Sequence, residues 1–201
     1  MKVFGTDLDG CVADTASVID YEFRKEFKVH NVVNEEAYYS WEKYGVDEEV
    51  GAPFVRSLLD GLVLWRDSKP IHKNIAEISR WTMTGMVPSV ITGRNISDRI
   101  ITEFWMAQHN VGYSNLVMGV KDDMKGLFAK HLDCSFFIED LPAAAFNVAE
   151  YGVKVYVIRQ PYNRWMERKK EIGSDPSRML DWDLITFVDD YTQIAELEKI
   201  K

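Results

Sequence analysis

Asp7 and Asp9 stand one residue apart at the end of the apolar run in "VFGTDLDG". Two carboxylates this close repel, and each resists losing its water. A strand followed by a polar turn, with Gly10 supplying an unusual backbone angle, explains the pattern without any chemistry. A cation or a phosphoryl group held between the carboxylates explains it with chemistry. Later stretches repeat the theme. "SVITGRN" sets Thr92, Gly93 and Arg94 after a second apolar run. A hydroxyl, an unobstructed backbone N–H and a helix start together cradle an anion, with Gly93 and Arg94 as its substrate-binding members. "KDDMKGLFAKHL" offers Lys121, Lys125 and Lys130, and "FFIEDLP" ends on Glu139 and Asp140. Asp7, the Asp9 backbone carbonyl and Asp140 can give oxygens to one Mg²⁺, a hard cation that takes one or two carboxylates plus phosphate oxygens and water. Thr92, the backbone after it and one lysine would hold the remaining phosphate oxygens. A rival acidic pair, Asp189 and Asp190 in "TFVDDY", reads instead as the N-cap of a last helix.

Composition narrows the partners. The formal net charge of −8 repels a polyanion, so long nucleic acid is not expected, whereas a local cationic pocket can still capture a small anion. The four histidines lie far apart without metal-ligand spacing, which argues against zinc. No apolar run approaches the roughly 20 residues of a membrane span. The two cysteines, Cys11 and Cys134, suggest no disulfide framework, and the N-terminus shows no signal peptide, so a cytoplasmic protein is expected. Oligomeric state is not legible.

The elements that must position these residues follow from periodicity. Five short runs, "KVFGTDL", "MVPSVIT", "NLVMGV", "CSFFIE" and "VKVYVIR", have the length and Val, Ile and Phe content of buried parallel strands. Helical patterns lie between them: Ile75, Ile78 and Trp81, then Ile96, Ile100, Ile101, Phe104 and Trp105, then "PAAAFNVAEYG" with Pro142 in its first turn and Gly152 at its stop. Strands alternating with helices predict a three-layer, Rossmann-like α/β fold on a parallel sheet. Residues 15–70 break the alternation and predict a small helical cap, inserted after the first strand into a core of residues 1–14 and 71–201. "ASVIDYEFRKEF" is its first helix, with Ile19, Phe23 and Phe27 on one face, and no strand is evident in it. Its aromatics, among them Phe23, Tyr38, Tyr39, Trp41, Tyr44, Phe54 and Trp65, form either a small core or a platform for a flat ligand. An insertion there would overhang Asp7 and Asp9, at the sheet edge where open α/β proteins bind ligands.

With these residues in place, the chain resembles the haloacid dehalogenase superfamily of phosphohydrolases. "DLDG" looks like its first motif, "ITGR" its second, the lysine of "MKG" its third and "IED" its fourth, in the right order across the whole core. The resemblance implies that Asp7 is the nucleophile, Asp9 the general acid/base and Lys125, rather than Lys121, the phosphate lysine. It also implies Mg²⁺, with Asp140 as direct ligand and Glu139 acting through water. Within the superfamily the helical insertion, "FIEDLP", "VIRQPYNR" and "MLDWDLI" look similar to 5′(3′)-deoxyribonucleotidases, implying a nucleoside monophosphate as substrate. A phosphatase for sugar or other small phosphates and a receiver-like module phosphorylated on aspartate are the alternatives. A receiver needs no general acid two residues after its acceptor.

Overall fold

The structure is a computed structural model and describes residues 2–172 and 182–200. Strands β1 (Lys2–Thr6), β4 (Met86–Ile91), β5 (Asn115–Val117), β6 (Cys134–Glu139), β7 (Val155–Ile158) and β8 (Ile185–Val188) form one sheet in the order β5-β4-β1-β6-β7-β8. Every neighbouring pair is parallel. Five of these strands coincide with the five apolar runs. The sixth, "ITFV", begins on the last residue of "MLDWDLI", of which residues 179–181 lie outside the described residues.

Side chains on the central strands alternate between two buried faces, which is why the runs carry almost no polar residues. Phe136, Tyr156 and Ile158 join Phe4, Trp81, Trp105 and Tyr191 on one face. Phe137, Val155 and Val157 join Val148, Ile185 and Phe187 on the other. Helices α5 (His72–Met83), α6 (Arg99–Gln108), α7 (Lys125–His131), α8 (Pro142–Glu150), α9 (Arg164–Ile172) and α10 (Tyr191–Glu198) cover them. Helix α8 begins on Pro142 and is followed by Gly152 at φ 75°. Helix α6 differs from expectation. It buries Thr102, Trp105 and Met106, while Ile100 and Phe104 are 83% and 68% exposed. Of the apolar residues in the pattern, Trp105 packs toward the sheet while Ile100 and Phe104 stay exposed.

The first strand's continuation is interrupted before the sheet's second strand is reached. Strand β2 (Ala13–Asp14) pairs antiparallel with β3 (Lys69–Pro70), so the two ends of the intervening segment leave side by side. That short pairing is a strand the sequence does not announce, because two residues are too few to show a period. Between them lie α1 (Thr15–Phe27), α2 (Ser40–Tyr44), α3 (Glu48–Leu59) and α4 (Leu62–Asp67). Asp14 caps α1 by accepting from the Ser17 N–H at 3.1 Å. Phe23, Trp41 and Tyr44 form a separate core there, packed by Phe27, Phe54 and Val55.

Candidate active site

The strand order reverses beside β1: the chain first builds outward through β4 and β5, then returns to add β6, β7 and β8 on the other flank. The crevice at such a reversal lies beyond the strands' C-terminal ends. Asp7 follows β1, Thr92 follows β4 and Asp140 follows β6, so three adjacent central strands deliver them to one place. Asp7 still pairs with the sheet through its N–H to the Ile138 carbonyl at 2.9 Å. The chain then turns tightly, with Gly10 at φ 73°. A Cβ on Gly10 would lie 2.0 Å from Asp140 Oδ2, so only glycine lets this loop lie against the second acidic pair.

Lys125 is the centre of charge. Its Nζ lies 3.0 Å from Asp7 Oδ2 and 2.8 Å from Glu139 Oε2, and the side chain is almost wholly buried. Helix α7 reaches this depth because Gly126 sits against α8, where a Cβ would lie 2.5 Å from the Asn147 carbonyl oxygen. Burial opposes the ammonium charge, but Asp7 and Glu139 outweigh it and hold the Lys125 pKa well above the usual lysine value. Lys121 is exposed, and Lys125 is the lysine that meets the acids.

Glu139 is fixed by the protein through both of its oxygens. Its Oε2 takes Lys125 directly, and its Oε1 accepts the Asp140 and Leu141 N–H groups, each at 3.1 Å. Asp140 accepts a short hydrogen bond from the Tyr162 hydroxyl, and its carbonyl accepts from Asn163 Nδ2 at 2.8 Å. Tyr162 and Asn163 belong to "QPYNR", a stretch whose contribution to the site sequence reasoning missed. A tyrosine contact across 22 residues leaves no local periodicity to find it.

Three carboxylates and one ammonium leave an excess of negative charge in a buried place. Burial pushes Asp7 up to about 7, aided by Glu139 and Asp9 and opposed by Lys125. Burial likewise raises Glu139 to about 7 and Asp140 to about 6. Asp7, Glu139 and Asp140 each offer an oxygen within 4.8 Å of the others, and Asp7 Oδ1 is buried without a partner. With an unpaired carboxylate oxygen among them, these three acids could hold a hard cation such as Mg²⁺.

Thr92 is buried, and its Oγ1 accepts the Arg94 N–H at 3.3 Å, which leaves its own hydroxyl proton free to donate. Gly93 is exposed beside it. The Arg94 side chain is held by a carboxylate of the site. Its guanidinium is buried and turned onto Asp9, with Nε 3.0 Å from Oδ2 and Nη2 2.7 Å from Oδ1. Strong attraction to the nearest carboxylate competes with any anion from outside.

The aromatics of residues 15–70 divide. Phe23 and Tyr44 are buried in their own core, and the Tyr44 hydroxyl donates to Asp20 at 2.7 Å. Trp65 stacks on the Arg94 guanidinium, 4.2 Å from ring centroid to Cζ. None of these three presents a free face to a ligand. Tyr38 does: it is 50% exposed and meets the Tyr162 ring edge-on at 5.0 Å. The rival acids are occupied elsewhere. Asp190 caps α10 by accepting from the Thr192 and Gln193 N–H groups, and Asp189 pairs with Arg159 at 3.0 Å.

No protein-family model matches the chain, and no curated protein matches it. Solved structures do. A conserved haloacid dehalogenase-like protein of unknown function from Agrobacterium tumefaciens aligns over 99% of this chain and 98% of its own at 14% identity, with a TM-score of 0.65. A haloacid dehalogenase-type phosphatase from Thermococcus onnurineus aligns over 100% and 99% at 10% identity, TM-score 0.59. The L-2-haloacid dehalogenase of Xanthobacter autotrophicus aligns over 99% and 98% at 10% identity, TM-score 0.56. The likeness is one of fold. It takes in a phosphatase and a dehalogenase alike, so the fold does not fix the reaction.

Proposed function

We propose that this chain, built on the α/β fold of the haloacid dehalogenase-like hydrolases, is a Mg²⁺-dependent phosphomonoesterase acting through an aspartyl phosphate on Asp7. The observation that carries this reading is the buried cluster in which Lys125 bridges Asp7 and Glu139, with Asp140 alongside. Asp7, Asp140 and the Asp9 backbone carbonyl would hold the Mg²⁺, which when bound neutralises charge on the carboxylates and on the phosphate oxygens. An Asp7 oxygen attacks phosphorus in line, a new O–P bond forms and the ester O–P bond breaks. Asp9 gives its proton to the leaving alkoxide, then takes one from the water that releases phosphate and restores the Asp7 carboxylate. Lys125 and the Thr92 hydroxyl steady the equatorial oxygens, and this electrostatic clamp supplies most of the acceleration. Residues 15–70 act as a cap over the core formed by residues 1–14 and 71–201, excluding water and choosing the leaving group.

For the substrate we propose a nucleoside 5′-monophosphate, with Tyr38 as the aromatic beside the base. The engagement of Phe23, Tyr44 and Trp65 in other contacts favours a second reading, a sugar or other small phosphate. A kcat/KM panel with Mg²⁺ decides. A base stacked on an aromatic is worth about 1–3 kcal/mol, so nucleotides should lead ribose 5-phosphate and glycerol phosphate by about tenfold or more. Sugar phosphates that match every nucleotide would support the second reading. Absence of phosphate release from every ester would overturn the phosphatase itself.

A further inference from the structure

Arg94 is 3% exposed although it follows an exposed glycine in a loop. A buried cation persists only where its surroundings compensate it. Asp9 does so through the two-pronged contact, and two indole rings cover the guanidinium, Trp65 at 4.2 Å and Trp105 at 5.9 Å. The rings come from different parts of the fold. Trp65 lies on α4 of the inserted segment, and its Nε1 donates to Asp98 at 3.1 Å, just before α6. Trp105 lies on α6, and its Nε1 donates to the Ser68 carbonyl at 2.8 Å, where the inserted segment returns. Arg94 is thus clamped between insertion and core, and its Nη1 has no partner. A pair kept for stability alone gains by satisfying every donor. The described side-chain hydrogen bonds to the Asp9 carboxylate all come from Arg94.

We infer that Trp65 and Arg94 are positioning residues for Asp9: the inserted segment seats the guanidinium, and the guanidinium sets the carboxylate. The inference rests on the phosphomonoesterase reading, in which Asp9 handles the leaving group's proton. Loss of the Trp65 ring leaves Arg94 paired with Asp9 and covered by Trp105 alone, so the guanidinium and the carboxylate it binds are held less firmly.

The test compares glycerol phosphate, whose alkoxide needs a proton, with p-nitrophenyl phosphate, whose leaving group scarcely does. Trp65→Leu should lower kcat for the alkyl ester by about tenfold or more and for the aryl ester by less than about threefold, with KM little changed. Trp65→Phe, which keeps a ring over Arg94, should recover most of the loss. Arg94→Lys should show the same split, and serves if Trp65→Leu fails to fold by circular dichroism. Combined with Asp9→Asn, Trp65→Leu should cost less than about twofold more, because its target is already gone. Equal losses on both esters, or losses that multiply in the double variant, would overturn the inference and leave the phosphatase standing. A wild-type chain that hydrolyses neither these esters nor any nucleotide would overturn the reading beneath it.

Discussion

Lys125 holds a single positive charge between two buried carboxylates, with a third close by. Removing a charge of this kind strands its partners, which is far costlier than losing the pair as a whole. Lys125→Met should therefore destabilise the fold by about 3 kcal/mol at pH 8. The loss should be smaller at pH 5, where Asp7 and Glu139 can accept protons. Adding Glu139→Gln should return much of the stability and none of the activity. Urea unfolding and phosphate release measure the two effects separately. Asp7→Asn belongs to the same scale. An amide neither attacks phosphorus nor binds Mg²⁺ well, so turnover should vanish while circular dichroism is unchanged. Retention of more than a few per cent of activity would remove Asp7 from the reaction.

The inserted helices carry two kinds of aromatic residue. Phe23 is fully buried among Phe27, Tyr44 and Phe54, with ring centroids 4.5–6.0 Å apart. Phe23→Ala should cost about 3–5 kcal/mol of stability through the cavity it leaves. Tyr38 stands at the other extreme, half exposed and resting on Tyr162, whose hydroxyl holds Asp140. Tyr38→Ala should change stability by less than about 1 kcal/mol and raise KM for nucleotides more than for glycerol phosphate. Thermal melts and a KM comparison check both substitutions. A Tyr38 variant with unchanged KM for every nucleotide would take this residue out of substrate recognition. Surface contact between the two regions adds little, since the Glu36–Arg168 pair is exposed on both sides.

At the scale of the molecule, the buried acids couple folding to pH. Asp7, Glu139 and Asp140 bind protons in the native state up to about pH 6–7. In the unfolded chain they release them near pH 4. Between those limits the native state carries more protons than the unfolded one, so stability should fall as pH rises through this window. A divalent cation replaces those protons and binds the folded form alone, so its benefit grows where they have left. Melting curves in EDTA and in Mg²⁺ should diverge more at pH 8 than at pH 5. A Mg²⁺ gain in Tm that is the same at both pH values would contradict the assignment of Asp7 and Asp140 as its ligands.

Much of this protein is written in short segments. Strands β1, β4, β5, β6 and β7 are buried on both faces, so their runs stand out without reference to the rest of the chain. Because the acids and Thr92 directly follow such strands, a parallel sheet brings Asp7, Thr92 and Asp140 to one edge, and that much follows from the sequence alone. What only the tertiary structure decided are the long-range pairings. Arg94 looks free in "ITGRN" and is claimed by Asp9, 85 residues away. Glu139 reads as an outlying ligand, and nothing near it in the chain announces that it also holds Lys125. Phe23, Tyr38 and Trp65 share one composition of segment, yet one packs a core, one stays half exposed and one covers a cation. Local periodicity records which face of an element is buried. It holds no record of what lies across that face, because the partner is chosen by packing among elements distant in the chain.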